Sequence, residues 1–592
     1  MKGFWKYVLA TIVGIIILCI ISTIMFSLIA SSAMKRSNKG AEVKPNSVLY
    51  LNFDKTMYDK APSDIMSILN SKSQDIQGMN TILECVEKAG RDSNIDGIFI
   101  ETLTFNGGIA LNEEVREALL KFKKDHPEKF IVTYSKSMTT SAYYLASVSD
   151  KIFLNPAGSI TFQGLSASIM FYKNLLDKYD IEVNVFRPEG CKFKSAVEPY
   201  ILDKMSDANK EQMNRYVFNI WNRMVNGISA QRNISPEKLN EIADNLLIGN
   251  AENAKQYGLI DEVAPYDVAI DYMKTLTSTE SDKKLKMVNV ENYKNNDVDD
   301  GKSFTKDRIA VIYAIGQISD GKGTDTQIGD QTLVKSIRKA REDKNIKAVV
   351  FRVNSPGGSA LASEVILREI ELLKKEKPVV ASYGNYAASG GYYISCLCDK
   401  IICNPYCLTG SIGVFGMFPN FQNFLNKRIG ITTDNVQTNK NAMGVNLMNE
   451  LTDDTKNYWS NQVNDIYKTF IGHVSEGRNM TTAAVDSIGQ GRVWTGDDAI
   501  NIGLVDELGG LNRAIEVAAE MAKIDNYRIT NFPKEKDMTA IFAELLSNNS
   551  DDELFLTSSQ LGILFEPYNA LKTLSEMDGV QARMPFEISI NY

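Results

Sequence analysis

Ser389 lies in Ala387-Ala388-Ser389-Gly390-Gly391, a small-residue segment in which a hydroxyl could meet a peptide backbone closely. A serine there, at the end of a strand and the start of a helix, suits nucleophilic acyl transfer. The Gly390 N–H and the helix dipole would lie beside the oxyanion. A serine nucleophile needs a base, and the chain has only two histidines. His126 sits in KKDHPEK, which reads as an exposed turn, and His473 in FIGHVSEGR, which reads as a helix end. Neither belongs to a Cys- or carboxylate-rich pattern, which argues against a histidine triad and against a histidine-held metal. A lysine is then the expected base. Lys194, in Lys194-Ser195-Ala196-Val197-Glu198-Pro199, is one candidate, with Lys192 and Lys440 as rivals that pattern alone does not exclude. Any lysine used near neutral pH must have its pKa lowered by ~3 units, a bias of about 4 kcal/mol. Burial between two halves of the protein could supply it.

About thirty residues before Ser389 comes Asn354-Ser355-Pro356-Gly357-Gly358, whose glycines allow a turn that points an N–H outward. Taken singly, NSPGG and AASGG each read equally well as close-packed turns. The order strand, NSPGG, helix, strand, AASGG is far more specific.

These segments recur. FRVNSPGGSA at 351–360 and YAASGGYYIS at 386–395 correspond to TLTFNGGIA at 102–110 and MTTSAYYLAS at 138–147. Aligning the two DKI triplets sets Thr140 opposite Ser389, so only the second copy keeps the serine. NSVLYLNF and RIAVIYAIG read as first strands, and NIDGIFIE and NIKAVVFR as second strands. IVTYS and VVASY follow as third strands. Helix-like stretches, EEVREALLKFKK and ASEVILREIELLKK, separate the second strands from the third. Apolar runs alternating with helices predict an α/β fold with buried parallel strands and right-handed crossovers. A polar stretch joins the halves. The expected division is an N-terminal anchor at 1–40, a first α/β repeat at 41–277, a linker at 278–306 and a second α/β repeat at 307–532. An extension at 533–592 follows, whose role as packing arm or oligomer contact the sequence leaves open.

From Tyr7 to Met34 no residue is charged, long enough for a transmembrane helix at about 1.5 Å per residue. The apolar run exceeds a signal-peptide core, which favours an uncleaved anchor. The flanking Lys2, Lys6, Lys35, Arg36 and Lys39 leave the orientation ambiguous. A cytoplasmic N-terminus would put the body on the extracytoplasmic side, the periplasm in a cell with two membranes. The net charge of −8, with both signs interspersed, gives no nucleic-acid footprint. Cys396, Cys398, Cys403 and Cys407 match no common zinc spacing and read as core residues. No metal or other cofactor is expected.

RVNSPGGS, AASGGYYIS, NPYCLTGSIG and KSAVEP together resemble the long, duplicated form of signal peptide peptidase, or protease IV, within the Clp protease–crotonase superfamily. The likeness runs from about residue 48 to about 522, plus the anchor. It implies two tandem crotonase-like repeats, with Ser389 as nucleophile and Lys194 as general base supplied by the other repeat. Ser411 would orient the lysine. Gly357, Gly358 and Gly390 would form the oxyanion neighbourhood, with the choice between the first two open. It further implies a membrane-anchored homotetramer that degrades cleaved signal peptides. Asn385-Tyr386 departs from the more glycine- or methionine-like residues of many relatives, which implies a reshaped pocket. Two rivals remain: a catalytically silent peptide-binding scaffold on the same fold, and an acyl-CoA enzyme of the crotonase type. Covalent labelling of Ser389 would dispose of the first, and peptide cleavage without acyl-CoA binding of the second.

Overall fold

The computed structural model describes residues 43–62, 76–298, 303–534, 580–584 and 589–591. The anchor expected at 1–40 and most of the 533–592 extension lie outside the described residues. Among the described residues no helix is long and apolar enough to cross a membrane.

Each repeat is built on its own parallel sheet. In the first the strand order is Lys286–Asn289, Ser47–Asn52, Ile95–Glu101, Phe130–Ser135, Lys151–Leu154, Glu262–Val263, every pair parallel. Lys286–Asn289 falls inside the stretch read as a linker. Its Val288 is buried while the residues around it are exposed, an edge-strand pattern too short and polar to stand out in the sequence. In the second sheet Arg528–Phe532, Arg308–Ile315, Ile346–Ser355, Val379–Ala388 and Leu408–Gly410 run parallel, and Val493–Thr495 closes the edge antiparallel. Lys400–Cys403 also pairs with Val379–Ala388, and Glu507–Leu508 pairs with Lys400–Cys403.

The duplication is visible down to single hydrogen bonds. Helices Asp207–Arg232 and Asp453–Arg478 are both 26 residues long. Each is capped at its start by a hydroxyl, Ser206 or Thr452, and at its end by a left-handed asparagine, Asn233 or Asn479. The last arginine of each pairs with an aspartate after the repeat's terminal glycine turn, Arg232 with Asp261 at 2.9 Å and Arg478 with Asp506 at 2.9 Å. Those aspartates each accept from a strand N–H at 2.8 Å, of Ile152 and of Ile401. Tyr143 donates to the Leu259 carbonyl at 2.9 Å as Tyr392 does to that of Leu504 at 2.8 Å, which supports aligning Thr140 with Ser389. Thr140 itself is buried and donates to the Thr161 carbonyl at 2.7 Å.

The repeats share a core. Ile98, Leu119 and Ile131 of the first pack in one cluster with Ile309, Val350 and Ala518 of the second. At their contact Arg352, fully buried, donates to Asp59 at 2.6 Å, Glu114 at 2.7 Å and Ser382 at 2.9 Å. Glu114 also accepts from the Leu511 N–H at 2.7 Å, so the carboxylates that neutralise this arginine are themselves bonded. The arginine of RVNSPGGS is thus a tie between repeats.

Candidate active site

Val379–Ala388 runs past the expected third strand to the residue before Ser389. The strand then breaks sharply, with Ser389 at φ 55°, ψ −115°, a conformation costly for a residue with a Cβ. The Ser389 N–H is held by the Gly410 carbonyl at 2.8 Å. The following helix is a single turn, Gly390–Tyr393, shorter than the expected apolar run. Local N–H groups rather than a long helix dipole are therefore what the site offers an anion.

Lys194 comes from the first repeat and is fully buried at this turn. Its Nζ lies 2.7 Å from Ser389 Oγ, 3.0 Å from Ser411 Oγ and 3.2 Å from the Ser411 carbonyl oxygen. Ser389 Oγ also reaches the Gly413 carbonyl at 3.3 Å. Desolvation holds the Lys194 ammonium well below the ordinary lysine range, and no carboxylate is within ion-pair reach of it to oppose that. A neutral amine against a serine hydroxyl is the arrangement a Ser–Lys acyl-transfer site requires. Ser411, at φ 49°, has its N–H fixed by the Arg492 carbonyl at 2.7 Å, which keeps its hydroxyl turned to the lysine.

The rival lysines are elsewhere. Lys192 lies 5.2 Å from the centre of the Phe193 ring, and the exposed Lys440 pairs with Asp454 at 2.5 Å. His126 is half-buried just past a helix. His473 lies within the last turns of Asp453–Arg478 rather than at its end, with Nε2 3.1 Å from Glu364. The four clustered cysteines are free and buried in the second repeat's core.

Gly357 and Gly358 lie beside the Ser389 turn with φ of 99° and 155°. A Cβ on Gly357 would come within 2.7 Å of the Gly390 nitrogen, a distance no real side chain tolerates. The Gly357 N–H is already given to Ser355 Oγ at 3.2 Å, which separates it from Gly358.

Several supporting residues had no signal strong enough to single out. Gly491, at φ 80°, packs directly on Lys194, and a Cβ there would fall 2.5 Å from the lysine Cβ. Its cue was Gly489-Gln490-Gly491, a turn signature that sequence alone ties to nothing. The Phe193 N–H donates to the Gln490 carbonyl at 3.1 Å, so the lysine segment is stitched to the other repeat. Gln212 donates to Ser195 Oγ at 2.9 Å and accepts from the Val493 N–H at 3.3 Å. Glu198, buried, accepts from Ser206 Oγ at 2.6 Å and Asn209 at 2.9 Å, which accounts for the acid of KSAVEP. Asn385, expected to reshape the pocket, instead clamps the first repeat. It accepts from the Ala110 N–H at 3.0 Å and donates to the Gly107 carbonyl at 2.7 Å.

Known proteins share this organisation. The family model of peptidase family S49 matches residues 123–280 and again 371–525. Protease 4 of Haemophilus influenzae is 33% identical over 522 residues, covering 85% of this chain and 83% of that protein. Protease 4 of Salmonella typhi is 36% identical over 467 residues, covering 77% and 74%. The chloroplastic serine protease SPPA of Arabidopsis thaliana is 32% identical over 512 residues, covering 84% and 72%. With two matches to one family and relatives aligned over most of its length, the chain belongs to peptidase family S49, as a two-repeat serine peptidase of the Protease 4 type.

Proposed function

We propose that this peptidase works through a Ser389–Lys194 dyad split between its repeats. The observation that carries the reading is the 2.7 Å contact between a fully buried, desolvated lysine and the hydroxyl of a strained serine. Neutral Lys194 takes the Ser389 proton as Oγ attacks the scissile carbonyl, then returns it to the leaving amine. It next takes a proton from water, which hydrolyses the acyl-enzyme. Ser411 keeps the amine aimed at Ser389. The developing oxyanion is met by the N–H groups of Gly358 and Gly390. Gly357 leaves a gap for it, since its own N–H is engaged by Ser355. Each step uses groups of this chain and water.

The wider reading is a membrane-anchored homotetramer that degrades signal peptides after their release. Its support is the uncharged run from Tyr7 to Met34 and the likeness to protease IV. The test is cleavage of an apolar, signal-like peptide by wild type, Ser389→Ala and Lys194→Ala, with light scattering for subunit number. Loss of turnover in both variants, with fold and assembly intact, is expected. Full activity in Lys194→Ala would refute the dyad. Membrane fractionation of the full chain tests the anchor.

A further inference from the structure

A sheet beside the site is completed by the chain's own tail. Its order is Ile328–Gly329, Ile318–Ser319, Gly357–Ser359, Val580–Arg583, Phe415–Asn420, Glu182–Phe186. Without the tail strand this is two separate pieces. One carries the glycines of NSPGGS; the other joins a strand of the second repeat to one of the first. Two strands flanking a third stand roughly 10 Å apart, a slot one extended peptide wide. A peptide added to such edges is held by main-chain bonds, with alternate side chains entering pockets.

The tail fills the slot antiparallel to both walls. Gly358 faces Ala582, Gly357 faces Arg583, and Phe415 faces Gln581. The Met584 N–H donates to the Pro356 carbonyl at 2.5 Å. In an antiparallel ladder bonded pairs alternate, so Gly358 and Ala582 form the next bonded pair, with the Gly358 N–H on the Ala582 carbonyl. That carbonyl oxygen also crowds Gly357 and Gly390. A Cβ on the first would lie 2.1 Å from it, and on the second 2.9 Å. The carbonyl of Ala582 thus meets the same glycines that the mechanism assigns to the oxyanion. Its methyl is fully enclosed, Met584 is buried, and Val580 packs on the second repeat's core. Small and apolar side chains alternate along the slot as a bound substrate's would.

We propose that Val580–Arg583 occupies the peptide groove as a tethered substrate and that Ser389 cuts the Ala582–Arg583 bond of its own chain; this rests on the dyad reading above. Ser389 Oγ bonds to the Ala582 carbonyl carbon while its proton passes to Lys194. The Ala582–Arg583 C–N bond breaks and the Arg583 amine takes that proton. Water, deprotonated by Lys194, then hydrolyses the Ser389–Ala582 ester, leaving a carboxylate on Ala582 and a free amine on Arg583. The enclosed methyl makes the subsite before the cut bond one for small residues.

The test is intact-mass and terminal analysis of the full chain, as wild type, Ser389→Ala and Ala582→Trp, each also assayed on an apolar signal-like peptide. Wild type is expected to end at Ala582 and release a fragment beginning at Arg583, at a rate independent of protein concentration. Ser389→Ala keeps its tail, and Ala582→Trp keeps its tail while cleaving added peptide with a lower KM. A wild type that cleaves added peptide but retains its tail overturns the proposal and leaves the dyad standing. So does a cut at another bond, or one that Ser389→Ala also makes. Cleavage of neither tail nor peptide overturns both.

Discussion

Gly491→Ala should disable the enzyme without touching either reacting residue. The new Cβ would lie 2.5 Å from Lys194 Cβ and 2.6 Å from its Cα and nitrogen, where carbon contacts need about 3.5 Å. Because backbone atoms are among those struck, the lysine segment must retreat by roughly 1 Å rather than rotate a side chain away. A misplacement of that size costs on the order of 10²-fold in rate. The left-handed φ of 80° adds a penalty of about 1–2 kcal/mol in stability, independent of the clash. Gly430→Ala is the matched control. Its φ is 85°, and a Cβ there meets nothing within 4 Å. Both variants should therefore lose thermal stability, while only Gly491→Ala loses kcat on an apolar peptide. Equal kcat in the two variants, or wild-type kcat in Gly491→Ala, would refute the claim that this glycine sets the lysine's reach.

The remaining predictions concern charge and the joint between repeats. Activity requires neutral Lys194, so kcat/KM should rise with pH through a pKa well below the lysine norm, a limb readable from a pH–rate profile. The same depressed pKa means the unfolded chain binds more protons than the folded one between that pKa and the ordinary lysine value, so stability rises with pH across that window. Lys194→Met should be inactive, should melt higher than wild type at neutral pH, and should show a shallower rise in melting temperature with pH. Arg352→Met leaves Asp59 and Glu114 buried without their cation and should cost about 3–5 kcal/mol, seen as early thermal unfolding and proteolysis between repeats. Asn385→Gly removes two bonds to the Gly107–Ala110 loop and should cost about 1–3 kcal/mol, with little effect on KM if the residue clamps rather than shapes the pocket.

What the sequence disclosed follows from how local each signal is. Buried parallel strands such as Ile95–Glu101 and Ile346–Ser355 are continuous apolar runs and announce themselves twice, once per repeat. Ser389 was legible because its glycines and alanines sit beside it. Lys194 was not separable from Lys192 or Lys440 by pattern. Its chemistry comes from burial against Gly413 and Gly491, hundreds of residues away, and only likeness to a family singled it out beforehand. Asn385 was read as a pocket residue because it adjoins the nucleophile, yet its partners lie in the other repeat. Val580–Arg583 is invisible for a related reason. Four residues with one β-branched side chain carry no strand pattern, and they become a strand only where two edges wait for one.

The distance in sequence between Lys194 and Ser389 has a consequence during synthesis. A ribosome that has finished the first repeat has made the amine but no hydroxyl for it to meet, and domains fold in the order they emerge. A truncated chain or a second repeat released alone therefore holds one reactant without the other. The hydrolytic power of the protein switches on only when the whole chain has been made and its halves have docked, so completion of folding is itself the licence to cut.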